Sequence, residues 1–418
     1  MEIKKWKGLR NTAPPERFRP GDLATALDVE INDTGQVLSR RGMTLLSAVA
    51  GHSLYANHAV AVLVEGSTLK ALEPDFTRTP LRVLSTSAPV SYDTMQDTVY
   101  FSNGVDMGRL VGRAPLQWGV TPPVGQPVAS PIAGALPAGR YMYAMTFLRA
   151  DGHESGTGLA GVIDLPLGGG IQFSSMEVST NPEVSDKILY LSSPNGEVMY
   201  RGRTVANAVP ALTYASGALD LSIPLTTQHA GPPPPGTTVR IFNGRACVVV
   251  GDTVFYSDPY NLELFRLDTA FSRFPGQVAL FECVNDGLYA ATTDLAGDDP
   301  ETSGGTWYLG GADTSALKSV QVFDYGAIPG AGVKTLASYF DTQFADEGGA
   351  IEPGTPAVVW SSRHGVCVGF DGGRVRNLTE AMYSFPIAQR GAGLVRQARG
   401  FVQYLSVLRG SGAANNSF

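Results

Sequence analysis

The chain has 418 residues, a formal net charge of −7, 43% hydrophobic residues and only 17% charged residues. This hydrophobic content is enough to bury a large core, and it excludes wholesale disorder. The 49 glycines and 28 prolines favour many short elements joined by tight turns over a helical bundle, and the negative charge gives no overall footprint for tight phosphate binding.

The first 24 residues are predicted to form an N-terminal arm rather than part of a folded core. Pro14, Pro15 and Pro20 interrupt regular structure there. The charged start Met1–Lys7 leads into no apolar stretch, so we expect no secretory signal. No run in the chain approaches 18 consecutive apolar residues, which predicts no membrane segment.

Residues 25–125 and 236–409 repeat one unit, in which a short strand, a tight turn and a second short strand follow one another. Thr238–Phe242, the turn Asn243-Gly244 and Arg245–Val250 are an example. Asn-Gly between β-rich runs favours a hairpin, because the primed turns require a positive φ. Such meanders cannot bury their faces alone, and packing side by side as a β-propeller protects their edges. We expect five or six such units; an irregular stack of sandwiches is the alternative.

The pattern of predicted strands changes between residues 126 and 230. Arg140–Leu148 and Lys187–Ser192 are predicted strands at a spacing typical of a small β-sandwich, which resembles fibronectin type III-like modules. Gly168–Gly170 is interpreted as a hairpin turn, since it lacks the spacing of a phosphate-binding loop. The polyproline run within 231–236 marks a domain boundary, and the tail 410–418 is expected to be flexible. The fold class is therefore all-β, propeller-like hairpins with an inserted sandwich.

Residues that could carry chemistry are few and scattered. Cys247, Cys283 and Cys367 are far apart and odd in number, so we expect buried free thiols and synthesis in a reducing cytoplasm. The histidines lack the spacing of a zinc site; they are His52, His58, His153, His229 and His364. The sequence contains neither a nucleophile elbow nor a phosphate-binding lysine loop.

Two acidic segments have some features of a functional site. Asp28–Gly35 has some calcium-loop character but lacks the ligand spacing and closing glutamate, so a strand ending in a turn is favoured. Asp298, Asp299 and Glu301 lie in a Gly/Pro-rich loop, whereas a glycosidase needs two carboxylates at a fixed separation. We predict no catalytic, cofactor-binding or metal-binding residues and no enzymatic activity.

Aromatic residues cluster after one predicted strand end. Tyr256 and Tyr260 flank a Pro/Asn turn, and Phe265, Phe271 and Phe274 follow closely. Such a segment either closes a core or forms a contact between subunits, where aromatic residues are enriched.

The opening segment resembles the start of structural proteins from tailed bacteriophages. The resemblance lies in Gly8–Thr12, Pro20–Ala26, Asp28–Gly35 and Ser39–Gly42. Later segments are similar to the same family; they are Phe242–Arg245, Val254–Pro259, Asp286–Tyr289, Gly305–Gly311 and Tyr325–Gly330. Together they resemble tail nozzle or hub proteins of short-tailed phages.

The resemblance implies a virion structural protein that forms the distal tail tube as a homo-oligomer, a hexameric ring. It implies contacts with tail adaptor and fibre proteins, and a lumen through which DNA passes without sequence-specific binding. A net charge of −7 suits a lumen that must not hold phosphates. Two rivals remain: a fibre or tip module that binds a host receptor through exposed aromatics on the sandwich loops, and a propeller hydrolase of polysaccharides.

Overall fold

The computed structural model describes residues 6–410 except 33, 41, 43, 46, 217–218, 294–303, 312–316, 341–353, 381, 386–387 and 399–400. The acidic residues Asp298, Asp299 and Glu301, Asp33 and Arg41 of the opening segment, and all but the first residue of the predicted tail lie outside this part. In the described part the regular structure is β-strand, with no α-helix. Three short 3₁₀ segments accompany the strands: Pro15–Arg17, Ala337–Phe340 and Asp371–Gly373.

The segment before the first four-stranded sheet is longer than the predicted arm of 24 residues, and we use the name N-terminal arm for all of it; its described part contains four short strands in two small sheets. They are β1 (Gly8–Leu9), β2 (Asp22–Leu23), β3 (Val29–Ile31) and β4 (Val37–Ser39). Strands β1 and β2 are parallel, and β3 and β4 form an antiparallel hairpin. In its turn, Oδ1 of Asn32 accepts hydrogen bonds from the Gln36 amide and the Thr34 hydroxyl, both at 2.7 Å. A side-chain-capped turn therefore follows the strand, as the sequence favoured over a calcium loop.

Two four-stranded antiparallel sheets follow, which we call blades 1 and 2. Their strands are β5 (Gly51–Ala56), β6 (Ala61–Glu65), β7 (Thr68–Leu72), β8 (Arg78–Val83), β9 (Ser91–Met95), β10 (Thr98–Ser102), β11 (Met107–Val111) and β12 (Ala114–Leu116). Each blade is a simple meander in chain order. Period-two alternation places Val62, Val64 and Leu69 of blade 1 against Val99 and Phe101 of blade 2 in one core.

The inserted segment forms two sheets around a core of its own. Its strands are β13 (Val128–Leu136), β14 (Gly139–Arg149), β15 (Gly161–Leu165), β16 (Gly169–Ser174), β17 (Val184–Ser192), β18 (Met199–Ala206), β19 (Leu212–Tyr214) and β20 (Asp220–Pro224). One sheet has the order β13-β16-β19 and the other β15-β14-β17-β18-β20. Tyr141, Phe147 and Phe173 are among the side chains that fill the space between them. The likeness to fibronectin type III modules stays a prediction.

The triple glycine does not make a hairpin turn. Strand β15 pairs with β14, and β16 pairs with β13, so the turn passes from one sheet of the sandwich to the other. The turn is tight, because Gly168 has a φ of 75° and a Cβ there would lie 2.6 Å from the carbonyl oxygen of Leu136. The predicted turn is confirmed, but the prediction that it joins the two strands of a hairpin was wrong.

Blades 3, 4 and 5 continue the meander after the polyproline run. Their strands are β21 (Thr238–Phe242), β22 (Arg245–Val250), β23 (Thr253–Asp258), β24 (Asn261–Phe265), β25 (Phe271–Arg273), β26 (Val278–Cys283), β27 (Gly287–Thr292), β28 (Thr306–Gly310), β29 (Lys318–Phe323), β30 (Val333–Leu336), β31 (Pro356–Ser362), β32 (Gly365–Gly369) and β33 (Val375–Asn377). Blade 3 is β21–β24 with β25 added on β23; blades 4 and 5 are β26–β29 and β30–β33.

Successive blades share cores because neighbouring residues of one strand face opposite ways. In β27, Leu288 faces the core between blades 3 and 4, and Tyr289 faces the core between blades 4 and 5. In β10, Tyr100 turns away from Phe101 and packs with Trp118 against blade 3. The five blades therefore form a propeller-like series in which each blade packs on the next.

A sixth unit ends the series. It is a two-stranded hairpin of β34 (Arg390–Ala398) and β35 (Phe401–Arg409), longer than the predicted pair Leu394–Gln397 and Phe401–Leu405. Tyr404 packs with Val359 and Val368 of blade 5. The described part of the chain thus has five meanders of four strands, one of them with an added fifth strand, and one hairpin, in agreement with the expected five or six units.

The core between blades 2 and 3 gives a direct test of this packing. Trp118 is fully buried there, and its Nε1–H donates to the carbonyl oxygen of Leu262 at 2.9 Å. We expect Trp118→Ala to lower the free energy of unfolding by about 3–5 kcal/mol, the usual cost of a large core cavity. Val111→Ala, at an exposed position of the same blade, is the control and should cost less than about 1 kcal/mol. Equal effects in urea titrations would contradict the shared core.

Candidate functional site

The three cysteines lie in strands, as predicted. Cys247, Cys283 and Cys367 occupy β22, β26 and β32, and all three are buried and form no disulfide. Burial raises the pKa of the Cys247 and Cys283 thiols. A protonated buried thiol is a poor nucleophile, so these two act as small core side chains.

The fold does not bring the histidines together. His58 meets Asp97 on the surface at 3.1 Å, and His364 stacks on Tyr325 with 3.9 Å between ring centres. His52 bonds the neighbouring Ser53 hydroxyl. Among the described residues, no group of three or more His, Cys, Asp and Glu side chains is placed to hold a metal ion.

The main polar site is a buried ion-pair cluster where the sandwich meets blades 2 and 3, here called the junction cluster. Glu263 of β24 accepts two hydrogen bonds from Arg149 of β14, at 2.6 and 3.1 Å. Arg109 of β11 lies 3.4 Å from the same carboxylate and also pairs with Glu183 of the sandwich. The amide of Gly119 donates to Glu263 at 3.1 Å. One carboxylate thus joins three structural units.

Two further side chains complete the junction cluster. Arg149 also donates to Asp151, and these hydrogen bonds hold the pKa of Asp151 down at about 2. Burial lowers the pKa of His153, although the Glu263 carboxylate, 3.9 Å away, opposes this effect. Within the described part of the chain, the buried Nε2 of His153 has no hydrogen-bond partner. A neutral imidazole is therefore favoured beside the ion pairs.

The geometry of the junction cluster suits a structural role, in which it holds the sandwich and blades 2 and 3 in fixed positions, rather than proton transfer. Both oxygens of Glu263 are engaged by Arg149, so this carboxylate is held as an ion-pair acceptor. Of the junction cluster, sequence reasoning named only His153, among the histidines considered for a zinc site. The signal available was weak: Arg149-Ala150-Asp151 after a predicted strand gives no indication that its partner lies 114 residues away in another unit.

A second polar cluster lies on the first strands of blades 2, 3 and 4. Arg240 of β21 forms an ion pair with Glu282 of β26 and donates to the Ser91 hydroxyl of β9 at 2.9 Å. Asp93 of β9 accepts the Ile241 amide at 2.6 Å, and burial raises the pKa of this carboxyl. These bonds fix the mutual positions of three consecutive blades where their first strands meet.

Lys187 is a fully buried lysine inside the sandwich. Its ammonium donates to the carbonyl oxygens of Glu177 and Met176, at 2.7 and 3.3 Å. Burial lowers the pKa of this side chain. These hydrogen bonds hold the segment before β17 against the sheet. The charged side chain therefore has a structural role, although the sequence pattern placed it in an apolar strand.

The N-terminal arm docks on the C-terminal part of the chain. Asn11 makes a two-way contact with Ser384, donating to its carbonyl oxygen and accepting its amide, both at 2.8 Å. The Asn11 amide also donates to Met382. Further along the arm, Glu30 pairs with Arg396 of β34 at 2.8 Å. The segment that carries the opening motif precedes blade 1 in the chain and contacts the opposite end of the blade series.

The predicted aromatic cluster divides into core and surface residues. Tyr256, Phe265 and Phe274 are buried, whereas Tyr260 is 82% exposed and Phe271 is partly exposed. In the sandwich, the aromatic side chains are buried except Tyr200, which is half-buried. Over residues 126–230 the structure describes every aromatic residue, and none forms the exposed loop aromatics expected of a receptor-binding module.

Two open clefts lie on blades 4 and 5. One, of ≈ 440 Å³, is lined by Phe323, Val375, Arg376, Asn377, Leu378 and Glu380. The other, of ≈ 510 Å³, has Lys334 and Tyr339 but no carboxylate among its lining residues. Neither holds the two convergent carboxylates that a glycosidase requires. In the part of the chain that the structure describes, no helix has the length and apolar character to cross a membrane.

Comparisons with known proteins return remote structural similarity only. No family model and no curated protein matches the chain. The N-terminal domain of Nup159 is similar with 10% identity, a TM-score of 0.29, and coverage of 84% of this chain and 71% of that one. The Neurospora crassa Pan2 WD40 domain follows with 9% identity, a TM-score of 0.28, and 78% and 76% coverage. A S. cerevisiae complex of Dbp5 with Nup159 and Gle1 gives 11%, 0.27, 81% and 68%. Similarity at this level supports no assignment of function, and the fold class is assigned from the strand topology.

The junction cluster predicts a large cost for breaking its central pair. Glu263→Gln should lower the free energy of unfolding by about 3 kcal/mol or more, because it leaves two arginines poorly compensated in a buried site. The control is Asp252→Asn, which breaks an exposed pair with Arg273 and should have a much smaller effect. Similar losses for both variants in urea titrations would show that the cluster does not lock the units.

The lowered pKa of His153 predicts a pH dependence. As the pH falls below about 6.5, the ordinary histidine value, the unfolded chain binds a proton at this position more readily than the folded chain. The free energy of unfolding therefore falls with pH in this window. His153→Gln should flatten this part of the profile, measured by urea titration at several pH values. Parallel profiles for the two proteins would contradict the buried neutral imidazole.

Proposed function

We propose that the chain is a non-enzymatic structural subunit of the distal tail tube, the nozzle or hub, of a short-tailed bacteriophage. It works in the virion tail after synthesis in the host cytoplasm. In this role copies of the chain form a ring, most simply a hexamer, that contacts adaptor and fibre proteins. The resemblance of the opening segment and of several blade segments supports this assignment.

The observation that carries the proposal is the way the motif-bearing arm is built into the molecule. Asn11 and Glu30, both within the resembling segments, contact Ser384 and Arg396 at the far end of the chain. The resemblance therefore falls partly on residues that attach the arm to the C-terminal end of the blade series.

The polar chemistry is consistent with a structural role. The carboxylates of the junction cluster and of the first-strand cluster are tied up in ion pairs and backbone hydrogen bonds. They hold blades and sandwich in fixed positions, as a permanent assembly needs. The net charge of −7 supports a lumen from which DNA phosphates are repelled, so that DNA passes without sequence-specific binding.

The receptor-binding alternative has less support. It requires exposed aromatic side chains on the sandwich loops, and the aromatics of residues 126–230 are buried or half-buried.

The sandwich does project an exposed aliphatic side chain, Leu167, at the turn between its two sheets. This position offers a label site for the test of the tail-tube proposal.

The test is to locate the chain in virus particles. Leu167 is 97% exposed, and the native cysteines are buried and form no disulfide, so Leu167→Cys provides a selective site for a gold-maleimide label. Labelled particles should show density at the distal tail in negative-stain images. Wild-type particles are the control and should take up little label. Label on the capsid or the outer fibres, or no incorporation into particles, would overturn the proposal.

A further inference from the structure

The outer edge of β35 is longer and more regular than many other sheet edges in the described part of the chain. The strand runs from Phe401 to Arg409 and pairs with β34 in continuous register without a bulge. It contains no proline, and its only charged residue is Arg409 at the end. A long, regular and uncharged edge is a template for pairing with another strand.

Many of the other edge strands that the structure describes have a feature that discourages such pairing. Strands β8, β13 and β20 contain Pro80, Pro131 and Pro224. Strands β12 and β33 have three residues each. Register shifts interrupt the pairing of β5, β24 and β29. Such features are therefore common among the described edge strands, and β35 has none of them.

The register identifies the backbone groups that point outward. The amide of Gly391 on β34 donates away from the hairpin, to the carbonyl oxygen of Pro329 at 2.7 Å. Gly391 and its partner Leu408 are therefore a non-hydrogen-bonded pair, whose backbone amides and carbonyls point outward. Because the two kinds of pair alternate in an antiparallel ladder, every second residue along each strand has outward-pointing backbone groups.

On β35 the residues whose backbone amide and carbonyl groups point outward are Val402, Tyr404, Ser406 and Leu408. In the described part of the chain, their outward amides have no hydrogen-bond partner. The edge is also held in place, since the Tyr404 hydroxyl donates to Ala331 at 2.5 Å and Ser406 contacts Ser361 at 3.0 Å. Four unpaired groups on an anchored strand form a preorganised acceptor for an extended segment.

We infer that the edge of β35 pairs with an extended strand from a second copy of this chain. The inference rests on the proposed homo-oligomeric role and assigns a surface to it. Each of the five blades has at least four strands, and the terminal hairpin has two. A hairpin donated by a neighbouring copy would bring this sixth unit to the same count.

Charge and composition favour another copy as the occupant. The solvent-facing side of the hairpin carries Arg390, Arg396 and Arg409, whereas the whole chain has a net charge of −7. The arm of each copy also presents a short hairpin whose outer strand β4 exposes Val37 and Leu38. The chain's own β3–β4 hairpin does not fill the edge, because it forms a separate sheet and reaches β34 through the Glu30–Arg396 pair.

The test compares two substitutions at one outward position. Val402→Pro removes an outward amide while leaving the inward hydrogen bonds to β34, and Val402→Thr keeps the amide and the β-branched shape. We expect the purified wild-type chain and Val402→Thr to self-associate equally in sedimentation velocity. Val402→Pro should associate at least about tenfold more weakly, with an unchanged circular dichroism spectrum.

Hydrogen exchange covers the case in which the proline variant does not fold. In the wild-type chain, exchange at the amides of Tyr404, Ser406 and Leu408 should slow as the protein concentration rises into the associating range. Unchanged exchange there, or equal association of folded Val402→Pro, would overturn the β35 assignment and leave the tail-tube proposal standing. A wild-type chain that stays monomeric at every concentration, alone and with neighbouring virion proteins, would overturn both.

Discussion

A narrow antiparallel sheet with apolar side chains on both faces is stable only between two neighbours. The blades of this protein are such sheets, four strands wide, and the alternation of side chains sends successive residues of one strand into different cores. Leu288 and Tyr289 are adjacent in β27, yet they belong to the cores on opposite sides of blade 4. Each blade thus depends on the next, and the stability of the series is shared along its length.

The inserted sandwich is different, because it has its own core and joins the blades through charge. Its main core lies between its two sheets, and a smaller apolar cluster of Ala144, Ile188, Tyr190 and Met199 lies on the other face of the larger sheet. The contact is made by Arg149 and Glu183 of the sandwich with Arg109 and Glu263 of blades 2 and 3. Directional ion pairs define a position more narrowly than apolar contact does, at a cost in desolvation.

The ends of the series are where assembly is expected to act. Blade 5 is covered by the terminal hairpin, and the N-terminal arm reaches that same region through Asn11 and Glu30. The hairpin is anchored on one face and open along one edge, which is the arrangement that β-augmentation uses. In a subunit built in this way, the terminal two-stranded sheet can accept a strand from a neighbouring copy. This is consistent with the proposed ring.

The sequence alone determined the all-β class, the repeating hairpins, the inserted unit and the buried cysteines. Local signals suffice for these, because Asn243-Gly244 specifies its turn and period-two alternation specifies a strand face. The partners of Glu263, the sheet-to-sheet path of Gly168 and the open edge of β35 were decided only by the tertiary structure. Each depends on a contact or a vacant hydrogen-bonding position set by residues far apart in the chain, and no local pattern encodes such a distance.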